Sequence, residues 1–467
     1  MQKKKTNKII LSFVFVLLLN VNLYGQIVIK NSDHAVNIAL QNSNELVLQG
    51  LTSLTGMKLA KMSFRDFLPS IDFSMSNTQS VTEYGSDNKS KSFSLSATQV
   101  LYDGGQRLLA YKLNNISSLY AYDEYEQSLR SFSSEIINQY YSLLKQVEIV
   151  KIKKDLLETA ETQLAIIQRE LELGLTLETN YLEYLISYLE TKNDFELSER
   201  ELERKKDSFK VSLGLEKSVD IDFSESFSAE DTYKPLIEYK EFLFERIKLE
   251  NIELKKRNLE LMSNQAQIDY KKHWYFPSVS LESSVSFSGK NYPLTQPDYS
   301  FKLSFGFVNN PVAPIEYGKK VGIKKNKLTS IGDTVSANVL PSSTFVLEDK
   351  QEKIGQLRMK LQNEQTKNQL YESLLDSIYN HDDSVHEIEM KAKSIALQKK
   401  KIEVSEVELK NGSLKHVDYL GSLIKLASSE IELLEDIVNV GMLERNLEIA
   451  AKIPFGEITH VCEDQKK

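Results

Sequence analysis

The chain is poor in residues that end secondary structure, with 18 Gly and 9 Pro in its full length of 467, about half the usual combined share. Sandwiches, loop-rich enzymes and disordered tails need frequent turn formers, so this shortage excludes them. A single Cys, Cys462, excludes an intrachain disulfide and any multi-Cys metal site. No G-x-S-x-G, P-loop or H-E-x-x-H pattern occurs, and nothing marks a catalytic residue or a cofactor site. His381 and His386 lie five apart and do not share a helix face, so with Asp382 and Asp383 they are not read as a metal site. Basic residues are outnumbered, 58 Lys plus Arg against 66 Asp plus Glu, which argues against a nucleic-acid partner.

What is present begins with an export signal. Lys3, Lys4, Lys5 and Lys8 precede an apolar run from Ile9 to Leu19, and Gly25 supplies a small residue for cleavage, so residues 1–25 are expected to be a signal peptide. No later run of about 20 apolar residues follows, and any passage through a membrane has to be made by β-strands. Four segments alternate apolar and polar residues, within about 67–76, 92–102, 277–288 and 299–308. Their Phe, Leu and Val side chains would face lipid. Ser94, Ser96, Ser280, Glu282, Lys302 and Ser304 would face a wet lumen. Tyr102 and His273-Trp274-Tyr275-Phe276 stand where interfacial aromatics are expected.

The rest is helical in character. Residues 106–210 hold one Gly and no Pro. A helix from Gln106 to Glu172 would run about 100 Å, at a rise of about 1.5 Å per residue. Helices of that length pack into coiled coils or bundles, and Tyr120, Tyr122, Tyr125, Tyr140 and Tyr141 read as packing. Each long run breaks at one Gly. Glu170-Leu171-Glu172-Leu173-Gly174 precedes Asn180-Tyr181-Leu182, and Glu408-Leu409-Lys410-Asn411-Gly412 precedes Asp418-Tyr419-Leu420, at an offset of 238. Phe67-Leu68-Pro69-Ser70 matches Tyr275-Phe276-Pro277-Ser278 at an offset of 208. The offset grows by 30 between the two sites, which marks an insertion near 309–349. The chain is therefore a tandem duplication, with a first repeat over 26–216, a second over 217–453 and a C-terminal tail over 454–467. The cluster Lys319, Lys320, Lys324, Lys325 and Lys327 follows the fourth strand, on the side expected to be periplasmic. Four strands leave two open edges that lipid cannot satisfy, so closure requires an oligomer. Two copies would close eight strands and three would close 12, and small inner side chains favour the wider ring.

Phe67-Leu68-Pro69-Ser70, the segment Gln99 to Arg107 with Asp103-Gly104-Gly105, the Gly-tipped hairpins and the duplication resemble the TolC family of outer membrane efflux proteins over roughly residues 31–453. The resemblance implies a mainly α fold with a membrane β-barrel: a homotrimer, 12-stranded in the outer membrane, continued as a long-helix coiled-coil tunnel across the periplasm. It implies a passive exit duct for efflux or type I secretion, without catalytic activity, docked to a periplasmic adaptor and an inner-membrane pump or ABC transporter. The tips Gly174-Leu175-Thr176 and Gly412-Ser413-Leu414 match adaptor-facing turns. Asp418 and Asn180 are candidates for the gate, Asp418 as a ring of three carboxylates or, alternatively, as a helix N-cap. The second repeat lacks the Asp-Gly-Gly turn, its nearest equivalent being Ile315-Glu316-Tyr317-Gly318-Lys319-Lys320. Two other classes stay open, a periplasmic coiled-coil adaptor and a structural scaffold without channel activity.

Overall fold

A computed structural model describes residues 27–80, 88–216, 219–223, 233–272, 275–294, 296–307, 315–324, 327–337 and 343–464. The expected signal peptide, His273, Trp274 and Lys325 lie outside the described residues. In chain order the elements are β1 (Ile27–Ile29), α1 (Ser32–Asn42), α2 (Asn44–Met62), β2 (Ser70–Ser80), β3 (Asn88–Tyr102), α3 (Gln106–Glu172), α4 (Glu178–Ser212) and β4 (Ile221–Phe223). Then follow α5 (Lys240–Glu250), α6 (Ile252–Lys272), β5 (Ser278–Gly289), β6 (Pro297–Phe307), β7 (Ile315–Lys324), β8 (Lys327–Ala337), α7 (Ser343–Lys410), α8 (His416–Ala451) and α9 (Ile458–Asp464).

The offsets read from sequence recur in these boundaries. The starts of α1 and α5, of α2 and α6, and of β2 and β5 all differ by 208 in number. The ends of α3 and α7, and the starts of α4 and α8, differ by 238. Even the breaks are copies. Ser43 accepts a hydrogen bond at its Oγ from the Leu46 N–H (3.3 Å), and at the same offset of 208 Asn251 accepts at Oδ1 from the Leu254 N–H (2.9 Å). Each side chain satisfies a donor that the first turn of the following helix leaves free, worth about 1 kcal/mol.

The chain packs as two compact units, each drawing on both repeats. One comprises the described residues up to Val47, Ser128–Phe242 and those from Leu375 onward; the other comprises Leu48–Gln127 and Leu243–Leu374. The first has its core where Ile136, Tyr140, Leu143, Phe209 and Leu213 pack with Ile29 and Ala35, next to the parallel pair β1–β4. The expected C-terminal tail is part of this unit's packing rather than a free end. Ile453, Ile458 and Cys462 are buried, and the first N–H of α9 bonds the buried carboxyl of Glu448.

The second unit holds an antiparallel sheet in the order β2-β3-β5-β6-β7-β8. All four expected strands are present, and two more follow them. The described strands of the segment read as an insertion, including Ile315 to Lys320, are an antiparallel pair, β7 and β8, with β7 bonded to β6 from Asp298 to Phe307. This explains the missing Asp-Gly-Gly turn: β6 leads into another strand, so no strand-to-helix corner is needed there. It also corrects the placement of the basic cluster. Lys324 pairs with Asp298 and Lys327 with Lys324, at the end of the sheet away from the strand-to-helix corners.

The corner in the first repeat is tightly built. Asp103 Oδ1 accepts from the Gly105 N–H (3.1 Å) and Oδ2 from the Arg107 N–H (3.1 Å), while Arg107 donates to the Asp66 carbonyl (2.6 Å). Gly104 has φ +72°, and a Cβ there would lie 2.8 Å from Tyr270 Cε2, whose hydroxyl donates to the Asp103 carbonyl. Gly104→Ala is expected to destabilise the protein by about 2 kcal/mol. Gly56→Ala, within α2 with no atom inside 4 Å of the added Cβ, is expected to stabilise it by roughly 0.5–1 kcal/mol. Thermal unfolding of the two purified variants, followed by circular dichroism, checks the opposite signs.

Candidate functional site

Both helical hairpins reverse through the same turn. At the first tip the Leu175 N–H bonds the Glu170 carbonyl (2.8 Å) and the Gly174 N–H the Leu171 carbonyl (3.0 Å); at the second, Ser413 bonds Glu408 and Gly412 bonds Leu409, each at 3.0 Å. This pair of bonds is the Schellman closure, which requires a left-handed residue at its centre, and Gly174 and Gly412 have φ +70° and +71°. The side chains differ. Leu173, Leu175 and Leu177 are 65%, 73% and 68% exposed, an apolar first tip. The second presents Asn411, the exposed Ser413, whose Oγ donates to the Glu408 carbonyl, and the half-buried Leu414.

Asn180 and Asp418 are each the third residue of their helix, α4 and α8. Asn180 Nδ2 donates to Thr176 Oγ1 (3.4 Å), closing the first turn. Asp418 is exposed, and the N-cap of α8 is Lys415. The alternative role of Asp418 as an N-cap is thereby removed; it remains a first-turn acid, where the helix dipole favours negative charge.

Beneath the tips the two repeats share a core. Ala160, Ile167 and Tyr184 of the first pack with Leu420 of the second, and the Tyr184 hydroxyl donates to the Ala160 carbonyl (3.0 Å). Burial pushes the Tyr184 phenol well above its ordinary value. His416, at the start of α8, places Nδ1 3.0 Å from Gln163 Oε1 and Nε2 3.3 Å from Glu170 Oε2, both on α3. It also meets the Tyr184 ring edge-on at 6.4 Å. His416 fastens the second tip to the first hairpin. Sequence reasoning passes over it, since one His beside a turn carries no pattern.

In the sheet the expected lumen residues share one face. Ser280 is opposite Ser304 and Glu282 opposite Lys302, while Ser94 and Ser96 are opposite Ser286 and Ser284. Hydroxyl pairs bridge the strands on this face: Ser74 to Ser94 at 2.7 Å, Ser76 to Ser92 at 2.8 Å and Ser284 to Ser300 at 2.7 Å. On the other face Phe73, Phe93 and Phe287 stack edge-to-face at 4.9 and 5.8 Å.

A polar cluster lies in the first unit, centred on the fully buried His381. Its Nδ1 is 2.9 Å from Asp382 Oδ1 and its Nε2 is 3.3 Å from Glu444 Oε1. Asp382 also accepts from the N–H groups of Leu236 (2.7 Å) and Ile237 (3.0 Å). Burial pulls the His381 pKa down, but hydrogen bonds and charge from Glu444 and Asp382 outweigh it, and the net shift is upward. Arg445 donates to Asn138 (2.6 Å) and sits 5.3 Å above the Tyr141 ring, and burial lowers its pKa. Together with Asp33, Tyr233 and Glu444 it lines a cavity of about 480 Å³. Glu448, 1% exposed, accepts from the N–H groups of Glu457 (3.1 Å) and Ile458 (3.2 Å) at the start of α9. Burial lifts its carboxyl from an ordinary 4.5 to about 7, the backbone donors acting in the other direction and Glu444 adding to the rise.

Residues 37–215, which contain the first strand pair, the Asp103 corner and the first tip, match the model of the outer membrane efflux protein family. The fold as a whole is similar to solved channels. The structure of CusC, described with its transmembrane channel formation, superimposes with a TM-score of 0.70 at 14% identity, covering 92% of this chain and 95% of that one. The CmeC outer membrane channel of Campylobacter jejuni gives 0.68 at 14% identity, covering 93% and 89%. The open state of the MtrE outer membrane channel of Neisseria gonorrhoeae gives 0.61 at 13% identity, covering 91% and 89%. A comparison with curated proteins finds no match.

A raised carboxyl has a definite sign. Between pH 4.5 and about 7 the unfolded Glu448 is ionised while the folded one keeps its proton, so stability falls as pH rises through this window and then levels off. His381, raised in the fold, adds stability that is present below the ordinary His pKa and lost as pH rises through the folded one. Glu448→Gln is expected to remove the part of the decline between pH 4.5 and 7, on the order of 3 kcal/mol by pH 8. Apparent unfolding temperatures of variant and wild type across pH 4 to 9 check it; parallel curves would overturn the assignment.

Proposed function

We propose that this chain, an outer membrane efflux protein by its fold and by the sequence of its first repeat, is a passive exit duct of the cell envelope. Its sheet forms the wall of a pore in the outer membrane, and its long helices, from three identical copies, enclose a tunnel in the periplasm. The two repeats, 26–216 and 217–453, each supply one helical hairpin to that tunnel. The observation that carries this reading is the sheet with one apolar and one Ser-rich face, in a chain where no described helix is long and apolar enough to cross a membrane. Such a sheet is suited to stand between lipid and water, a role that neither a periplasmic adaptor nor a coiled-coil scaffold uses.

The tips dock to a periplasmic adaptor coupled to an inner-membrane pump or ABC transporter. The exposed Leu173, Leu175 and Leu177 favour an apolar contact at the first tip, and Gly412, Ser413 and Leu414 a more polar one at the second. The Asp418 carboxylates of three copies form the cation-selective constriction, and opening separates helices fastened beneath the tips by Tyr184 and His416. A photo-crosslinker at Leu175 or Ser413 in living cells is expected to capture an exported adaptor protein, and one at exposed Val211, far along α4 from the tip, to capture none; equal capture from all three would sink the docking assignment. In planar bilayers the purified protein is expected to conduct ions, and Asp418→Asn to lower its cation-over-anion preference roughly several-fold. A preference that survives the substitution unchanged would remove Asp418 from the gate.

A further inference from the structure

We propose that β8 of one copy pairs with β2 of the next, so that each copy contributes six strands to the membrane wall and three copies close a barrel of eighteen strands rather than twelve. The inference rests on the outer membrane channel reading above.

The third hairpin has the dimensions of the other two. Strands β7 and β8 have 10 and 11 residues, as against 12 and 11 in β5 and β6, and about 9–11 suffice to cross when tilted. Strand β7 follows β6 in register from Phe307 opposite Ile315 to Asp298 opposite Lys324. Strand β8 follows β7 from Ile315 opposite Ala337 to Lys324 opposite Lys327, with one irregularity at Gly322/Ile323.

Both faces of the sheet continue across the added strands. At one height the successive partners Phe73, Leu95, Val285, Tyr299, Ile323 and Leu328 share the apolar face. One step along, Asp72, Ser96, Ser284, Ser300, Gly322 and Ser330 share the polar face. The glycine in that row is confined: a Cβ at Gly322 would lie 2.4 Å from Ser330 Oγ, and one at Gly318 2.9 Å from Thr334 Oγ1 and 3.0 Å from Lys302 Cε. Lys319 and Asp333, in the middle of the apolar face, are directly opposite each other, and Asp333 accepts from the Tyr317 hydroxyl (2.9 Å). Opposite charges placed in register are the form in which a pair is least costly there.

A hairpin lying in water would have no use for this pattern. Leu328, Ile331 and Val335 are 59%, 59% and 71% exposed, on a strand whose outer edge has no partner among the described residues of the sheet. The other open edge is β2, which is exposed along its whole length. In hydrocarbon both edges must be paired. With five antiparallel pairings between them, β2 and β8 run in opposite directions, so β8 of one copy against β2 of the next continues the alternation without a break. Barrel diameter grows roughly linearly with strand number, so eighteen strands give a wall about 1.5-fold wider than twelve.

Cysteine pairs distinguish the neighbours of β2. In full-length protein within outer membrane vesicles, Ile331→Cys is combined in turn with Ile71→Cys, Phe73→Cys and Met75→Cys, and Phe301→Cys of β6 with the same three. After a short thiol-reactive crosslinker, at least one Ile331 pair is expected to give a covalent ladder ending at three copies on a denaturing gel. The Phe301 pairs are expected to give none, because β6 has β5 and β7 on its two sides. A ladder from a Phe301 pair, a ladder ending at two copies, or no ladder from any Ile331 pair would overturn the inference while leaving the channel reading intact. Absence of the unsubstituted protein from the outer membrane would overturn both.

Discussion

A strand edge carries a row of N–H and C=O groups, and in hydrocarbon each unpaired group costs several kcal/mol. That demand governs more of this molecule than any local contact. The sheet segregates its side chains so that one face offers Phe73, Phe93 and Phe287 while the other offers serine pairs. A face of this kind belongs against lipid, and lipid forbids an open edge. Among the described residues the sheet has two open edges, at β2 and β8, so in the proposed membrane wall each edge needs a partner strand from another copy of the chain. The chemistry of the second face follows from the same geometry. Alternation places Ser and Thr on the face opposite the apolar set, and their short hydroxyls bridge neighbouring strands there.

The helices answer a different constraint. With so few Gly and Pro, long helices that must fold back on themselves can do so only where a left-handed residue is supplied. Gly174 and Gly412 sit at those two places in the same hydrogen-bonded turn. Beneath the turns the repeats are joined by packing around Tyr184 and by His416 reaching Gln163 and Glu170. The tips are therefore equivalent in backbone but not in surface: leucines cover the first, while the second carries the histidine that fastens it. In the same unit, Glu448 and His381 are buried ionisable groups on α8 and α7, both shifted toward their protonated forms. This half of the protein is accordingly expected to tighten on the acid side of neutrality.

Much of this is legible in the chain, and the exceptions have identifiable causes. Period-2 alternation marks Ile71 to Ser76 and Tyr299 to Phe307 unmistakably, and the 208 and 238 offsets survive into element boundaries that agree to the residue. The third hairpin escapes a reading as strands because Gly318, Gly322 and Gly332 interrupt it and its lysines fall on both faces. Glycine and lysine are depleted in strands on average, whereas here Gly318 and Gly322 sit on the polar face where a Cβ would collide with Thr334 and Ser330. The buried cluster of His381, Glu444 and Glu448 has no signature in sequence at all. Glu444 and Glu448 lie four apart on one face of α8, but nothing in the spacing along the chain foretells that His381 of α7 meets Glu444.

The placement of the extra hairpin follows from the architecture. Repeat offsets of 208 before it and 238 after it mean that the second copy gained this segment without disturbing the boundaries of the helical hairpins. Only an even number of added strands permits this, since one or three would deliver α7 to the wrong end of the sheet. The end of β6 is also the corner that carries no Asp-Gly-Gly turn. In the first repeat that corner is bound by Asp103, Arg107 and Tyr270, and an insertion would have to dismantle it. The second repeat could lengthen the sheet by one complete there-and-back crossing. In the proposed ring every copy would do the same, widening it while each helical hairpin still follows directly from its own strands.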